Sequence, residues 1–294
     1  MHSIKSVHEL LHATIVPVSS NIIVGAVIAF TGVFLAKMLG DWAIPPHFAI
    51  PIILIMGTCF GAFMGWLIDT LKIPAFIITL AGMFFLRGTS FLISEQSLPI
   101  NDPVFSALSR MSWHIIGGGR LSLLAIIMLI VVIIGIVLAT RTRFGNNVYA
   151  VGGNATSAEL MGISIRRTTI GIYMLSTTMA TLAGIVFAIY TSAGYPLAAV
   201  GVELDAIAAV VIGGTLLSGG VGTVFGSLFG VLIQGLIQTY INFDGTLSSW
   251  WTKIIIGILL FSFIGLQRLL SAFSENQKAS KPTLLIVREN TPTN

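Results

Sequence analysis

A single cysteine, Cys59, in 294 residues excludes an intramolecular disulfide and a cysteine metal cluster. Charge is almost as scarce: Asp, Glu, Lys and Arg together make 9% of the chain, where a soluble domain carries about a quarter. No GxxxxGK(S/T) run occurs, so the chain cannot by itself cradle ATP phosphates in a P-loop. A nucleophile elbow and a dinucleotide fingerprint are missing too. The first twenty residues have neither a clean apolar core nor a small-residue cleavage site, so no cleavable signal peptide is expected. A proton-driven transporter would show a carboxylate deep in a span, and none is found.

What is present in quantity is apolar sequence. At 55% hydrophobic residues and a mean hydropathy of +0.96, the chain reads as an all-α, polytopic transmembrane protein. The net charge of +4 comes from positives beside the spans, so the partner it implies is a membrane and not nucleic acid. Spans are predicted over residues 21–39, 48–71, 73–93, 121–140, 168–190, 205–217, 222–241 and 250–270. Residues 1–20 form an atypical N-terminal segment, 21–270 the transmembrane domain, and 271–294 a polar tail expected to be disordered and cytoplasmic.

The one long polar interval inside this sequence is residues 141–167, bracketed by Arg141, Arg143, Arg166 and Arg167 with Glu159 as its sole acid. Lys and Arg concentrate in cytoplasmic loops, so this loop faces the cytoplasm and orients the rest. Alternating outward from it gives eight crossings with both ends cytoplasmic. Lys72 then falls inside, while Arg110 and Arg120 fall outside against the rule. Within the loop, Gly152-Gly153-Asn154 is a turn, Ala155–Met161 a short amphipathic helix, and Gly162 its stop. Such a helix at the membrane surface is a docking element for a soluble partner; a plain solvated connector is the alternative.

One span is odd. Residues 205–217 would make a helix about 20 Å long, against a hydrocarbon core of about 30 Å. Gly201, Gly213, Gly214, Gly219, Gly220 and Gly222 surround and interrupt it. A short or broken helix survives at membrane depth only where protein or a water-filled cavity satisfies its backbone. It is therefore expected beside a pathway, with a tight structural corner as the alternative. Glu203 and Asp205 are expected at its outer edge, complementing the helix dipole. Arg87, inside the third span, should pair with a carboxylate or carbonyls and mark a functional site, or else snorkel to the outer face. There is also a repeat: GTCFGAFMGWLI (57–68) aligns without gaps on GTVFGSLFGVLI (222–233). In this topology the copies run oppositely, the inverted construction common in transporters. Gly at every fourth position lets a neighbouring backbone approach.

The N-terminal segment contains His8-Glu9-Leu10-Leu11-His12. On a helix HExxH presents two zinc ligands one turn apart with a glutamate base. Asp244 is the only third ligand in view, and the motif lies outside any full span. No metal or cofactor is expected on this reading; an intramembrane zinc protease is the minor alternative and an ion-coupled secondary transporter the major one.

Three stretches together carry a family resemblance: KIPAFIITLAGMFFLRGT (72–89), TRFGNNVYAVGGNATSAELMGI (142–163) and GVELDAIAAVVIGGTLLSGGVGT (201–223). They resemble the permease subunits of ribose- and galactose-type ABC sugar importers, most strongly those of the enterobacterial galactofuranose type, from about Val27 to the tail. The resemblance implies an inner-membrane subunit, not an enzyme, that moves a monosaccharide inward. It also implies three partners: a second permease subunit, a cytoplasmic ABC ATPase that hydrolyses the ATP, and a periplasmic sugar-binding protein. By the same resemblance Asn154, Ala155, Glu159, Leu160, Met161, Gly162 and Arg166 form the ATPase-coupling loop. Residues 203–222, with Glu203, Asp205, Gly213 and Gly214, lie near the translocation path, to which Arg87 is added from its place in a span. Where the family carries an extra helix and a GGIDLSVG-like stretch, this chain has SSNIIVGAV, so a truncated or altered front is expected.

Overall fold

The structure, a computed structural model, describes residues 22–114, 120–216, 219–244 and 249–279. His8, Glu9 and His12 lie outside them. The described residues form eleven helices and four very short strands. In chain order they are α1 (Val24–Gly40), α2 (Pro46–Leu71), α3 (Ala75–Ile93), β1 (Leu98–Pro99), α4 (Pro103–Arg110), β2 (Ser112–His114) and β3 (Arg120–Ser122). Then follow α5 (Leu123–Arg141), α6 (Arg143–Gly153), α7 (Ala155–Leu160), α8 (Ile165–Thr191), β4 (Ala193–Gly194), α9 (Val202–Ile212), α10 (Val224–Asp244) and α11 (Ser249–Ala279).

Five of these are long and apolar enough to cross a membrane: α2, α3, α5, α8 and Val224–Ile241 of α10. Shorter apolar helices run over Val24–Gly40 and Trp250–Gly265, and α9 supplies the short element. The predicted spans agree with the helices to within a few residues except at the end, where α11 runs on to Ala279 past the expected limit at 270. The connection after α3 carries a short helix of its own, α4. Asp102 caps α4 by accepting from the Val104 and Phe105 N–H groups, and Phe105 is fully buried beneath it.

α8 is the hub, with two-thirds of its apolar window buried (67%). Against it lies the glycine stripe of α2. A Cβ on Gly57 would strike Thr181, one on Gly61 would strike Thr177 and the Tyr173 carbonyl, and one on Gly65 would stand 2.7 Å from the Ile170 Cα. Small residues let the two backbones meet, and the Thr58 and Thr178 hydroxyls share a hydrogen bond of 2.7 Å across the seam. The second repeat copy uses its stripe the same way against a different neighbour: Gly226 meets Gly213, and Gly230 meets the Ala209 carbonyl, both on the short element.

Contacts also fix which helix ends lie together. Arg166, at the start of α8, stands 3.6 Å from Asp69 at the end of α2, which Lys72 also reaches at 3.1 Å. Lys72 therefore shares the side of the basic loop, as the alternation requires. At the opposite end β1 pairs antiparallel with β4. The first repeat copy runs toward the basic loop; the second runs away from it, since Tyr149 of that loop donates to the Gly222 carbonyl at 3.0 Å. The duplication is inverted.

Candidate functional site

The basic loop folds as two helices where the sequence showed one. α6 was missed because its composition, rich in Gly and Asn, is unfavourable to a helix; tertiary contacts supply what propensity lacks. The Thr142 hydroxyl caps it by accepting from the Gly145 N–H at 3.1 Å. Val148 packs with Ile172 and Tyr173 in a small core that also takes in Phe144, Leu138 and Ile68. Asn154 ends α6 and begins α7, its side-chain oxygen accepting from the Ser157 N–H at 2.9 Å. α7 stops at Leu160, and Gly162 (φ +83°) turns the chain in the left-handed conformation that glycine adopts at least cost. The predicted amphipathic face is turned outward. Ala158 is fully buried, whereas Leu160 and Met161 are 86% and 69% exposed, and Asn154, Ala155 and Glu159 are exposed beside them. Arg166 points away from this group to Asp69.

The second group is organised by irregular backbone. After α8 the chain passes along α1. Gly194 lies against Gly32, and further on the Ala199 carbonyl lies 2.5 Å from where a Cβ on Gly25 would stand. Seven residues of α1 separate these contacts, about 10 Å of descent. α9 starts there, after Gly201 (φ +82°), and ends in a glycine loop that touches the basic loop. Its 11 residues cover about 16 Å, roughly half of a hydrocarbon core of about 30 Å. Glu203 and Asp205 therefore sit near mid-depth and not at the outer edge where the sequence had put them; the physical reason is that residues 193–201 complete the crossing as a two-residue strand followed by turns.

Mid-depth irregular backbone needs donors, and Arg87 provides them. Its guanidinium donates to the Pro196 carbonyl at 2.7 Å and the Ala198 carbonyl at 2.9 Å, so the carbonyl pairing expected of it holds. The Glu203 carboxylate lies against Gly25, with its Oε2 atom buried and, among the described residues, without a hydrogen-bond partner. The N-terminal ends of α1 and α9 thus meet around one carboxylate, where both helix dipoles favour negative charge. Asp205, buried, accepts from the Lys253 ammonium at 2.7 and 2.8 Å. Lys253 had not been singled out, although a lysine four residues inside a span was signal enough. The Gln234 amide, buried with neither polar atom paired among the described residues, was missed also. Gly213 and Gly214 stand at the other end of α9, so the residues predicted along a pathway separate into a mid-depth group and a cytoplasmic one.

Over residues 18–264 the chain matches the family described as "Branched-chain amino acid transport system / permease component". The chain belongs to this permease family. It is 73% identical, over 88% of its length and 78% of the relative's, to the inner membrane ABC transporter permease protein YjfF of Escherichia coli. It is 38% identical to the fructose import permease protein FruG of Bifidobacterium longum, over 87% of this chain and 76% of that one. To the ribose import permease protein RbsC of Escherichia coli it is 34% identical, over 81% and 73%. No solved structure matches. The permease is a transport subunit of the sugar ABC class and not an enzyme, and it is a multi-pass protein of the inner membrane.

Proposed function

We propose that the permease imports a monosaccharide, galactofuranose being the specific reading, and that the loop carrying Asn154, Ala155, Glu159, Leu160, Met161 and Gly162 is where its ATPase seats. Such a permease works with an ATPase, another permease chain and a periplasmic binding protein. The observation that carries the coupling role is the pair of large apolar side chains, Leu160 and Met161, held outward on a capped and glycine-stopped turn of helix on the basic side. Exposed apolar knobs of this kind fit a partner's groove. Glu159 offers a charge at the rim, where it steers more than it binds, while Arg166 is turned toward Asp69.

The names of the fructose and ribose import permeases support a monosaccharide as cargo; the galactofuranose reading rests on the sequence resemblance alone. A neutral sugar needs hydrogen-bonding groups, and Arg87, Glu203, Asp205, Gly213 and Gly214, arranged along the broken crossing, are the candidates for lining its path. Closure of the ATPases on nucleotide would shift the loop at 154–162 and, through it, the two inverted halves. The test is co-purification from the native membrane. An ATPase should come down with the permease and be lost when Leu160→Ser and Met161→Ser are combined. An ATPase that stays bound to the double variant refutes the docking role.

A further inference from the structure

Resting on the coupling role just proposed, we infer that Tyr149 and Gly152 are positioning residues that tie the coupling loop to the broken crossing as one rigid joint. Four glycines make the contact. A Cβ on Gly152 would stand 2.9 Å from the Gly220 nitrogen, one on Gly219 would stand 3.0 Å from the Gly152 carbonyl, and one on Gly220 would stand 2.6 Å from the Gly153 Cα. Backbone therefore lies on backbone, with no described side chain between, an arrangement that transmits displacement because packed atoms yield little. Gly219 and Gly220 hold φ of +87° and +76°, a backbone conformation that glycine adopts at least cost. Leu216 accepts from the Gly219 N–H and donates to the Val221 carbonyl, which closes the loop on itself.

Tyr149 supplies the lock, its hydroxyl donating to the Gly222 carbonyl at 3.0 Å. Burial raises the phenol above its ordinary range, which keeps the donor proton in place. Both ends of the joint lead somewhere. On one side α6 continues into Asn154 and the exposed Leu160–Met161 pair. On the other, Gly213–Gly222 joins α9, whose far end carries Glu203 and Asp205, to α10. A push on the loop is thereby delivered to the cytoplasmic end of the half-helix, about 10–14 Å along its axis from the mid-depth carboxylates.

The sequence furnishes its own control, because among the described residues a Cβ on Gly153 meets nothing within 4 Å. The reconstituted transporter is assayed for ATPase binding, ATP hydrolysis and sugar delivered per ATP. Tyr149→Phe and Gly152→Ala should keep the ATPase bound and hydrolysing while sugar per ATP falls, in Tyr149→Phe by about fivefold, the worth of one neutral hydrogen bond. Gly153→Ala should match the unaltered protein. Undiminished sugar per ATP in Tyr149→Phe overturns the joint, as does an equal fall in Gly153→Ala. Loss of the ATPase itself from Tyr149→Phe also overturns it, since the contact would then shape docking and not transmission. If Gly152→Ala fails to accumulate, Tyr149→Phe decides alone. Failure of the coupling reading shows separately, as retention of the ATPase by the Leu160 and Met161 variants.

Discussion

Removing Lys253 tests whether mid-depth charge in this permease is structural. Asp205 is 1% exposed, and its carboxylate is gripped through both oxygens by the Lys253 ammonium at 2.7 and 2.8 Å. Two unit charges at that distance attract by about 6 kcal/mol at an effective dielectric of about 20. Desolvating both ions cancels much of this, and the Lys253 side chain is 46% exposed, which weakens it further. A net coupling of about 2–3 kcal/mol is what remains. Lys253→Met leaves a buried carboxylate without its cation and should cost about 3–5 kcal/mol, the range for breaking one side of a buried pair. Asp205→Asn should cost less, because the ammonium can turn toward water. The double variant should recover most of the loss. The assay is unfolding by SDS titration in mixed micelles, followed by tryptophan fluorescence and analysed as a double-mutant cycle. A coupling within about 0.5 kcal/mol of zero would refute the argument, since distant, independent sites add to that precision.

The glycine stripe of α10 gives a contrast within one helix. Gly230→Ala drives a methyl into the Ala209 carbonyl, whereas the Cβ of Gly235→Ala meets nothing. The first should destabilise by about 1–3 kcal/mol as overpacking, and the second should be neutral or stabilise by up to about 1 kcal/mol through helix propensity, both read in the same unfolding assay. Arg87→Met strips the donors from the Pro196 and Ala198 carbonyls. It should cost about 3–6 kcal/mol as two charge-assisted bonds are lost and reduce uptake, while Arg87→Lys should recover only part because a shorter, flexible stem does not hold its ammonium where the guanidinium holds Nη1.

Much of the fold was legible because hydrophobic length is a loud signal in a membrane. Helices such as α2, α3, α5 and α8 fall where runs of apolar residues fall, and the repeat at 57–68 and 222–233 announced both glycine seams. The basic loop was legible as a place but not as a shape. Asn154 and Gly162 punctuate it in the sequence, yet α6 forms from poor helix formers because Val148 and Phe144 have a core to enter. The depth of Glu203 was misread for a related reason. Span counting assumes that helix carries the chain across, and here residues 193–201 do part of the work as a two-residue strand and a run of turns, which have no hydrophobic period to detect. Pairings across the sequence, Asp205 with Lys253 and Tyr149 with Gly222, separate partners by 48 and 73 residues, beyond the reach of any local pattern.

The most direct measurement is uptake of labelled galactofuranose by proteoliposomes holding the permease, its partner permease and the ATPase, with the periplasmic binding protein outside and ATP within. The account predicts accumulation that requires ATP and is abolished by the combined Leu160→Ser and Met161→Ser substitutions. Accumulation by the permease alone, driven by an imposed ion gradient without ATPase or ATP, would contradict it.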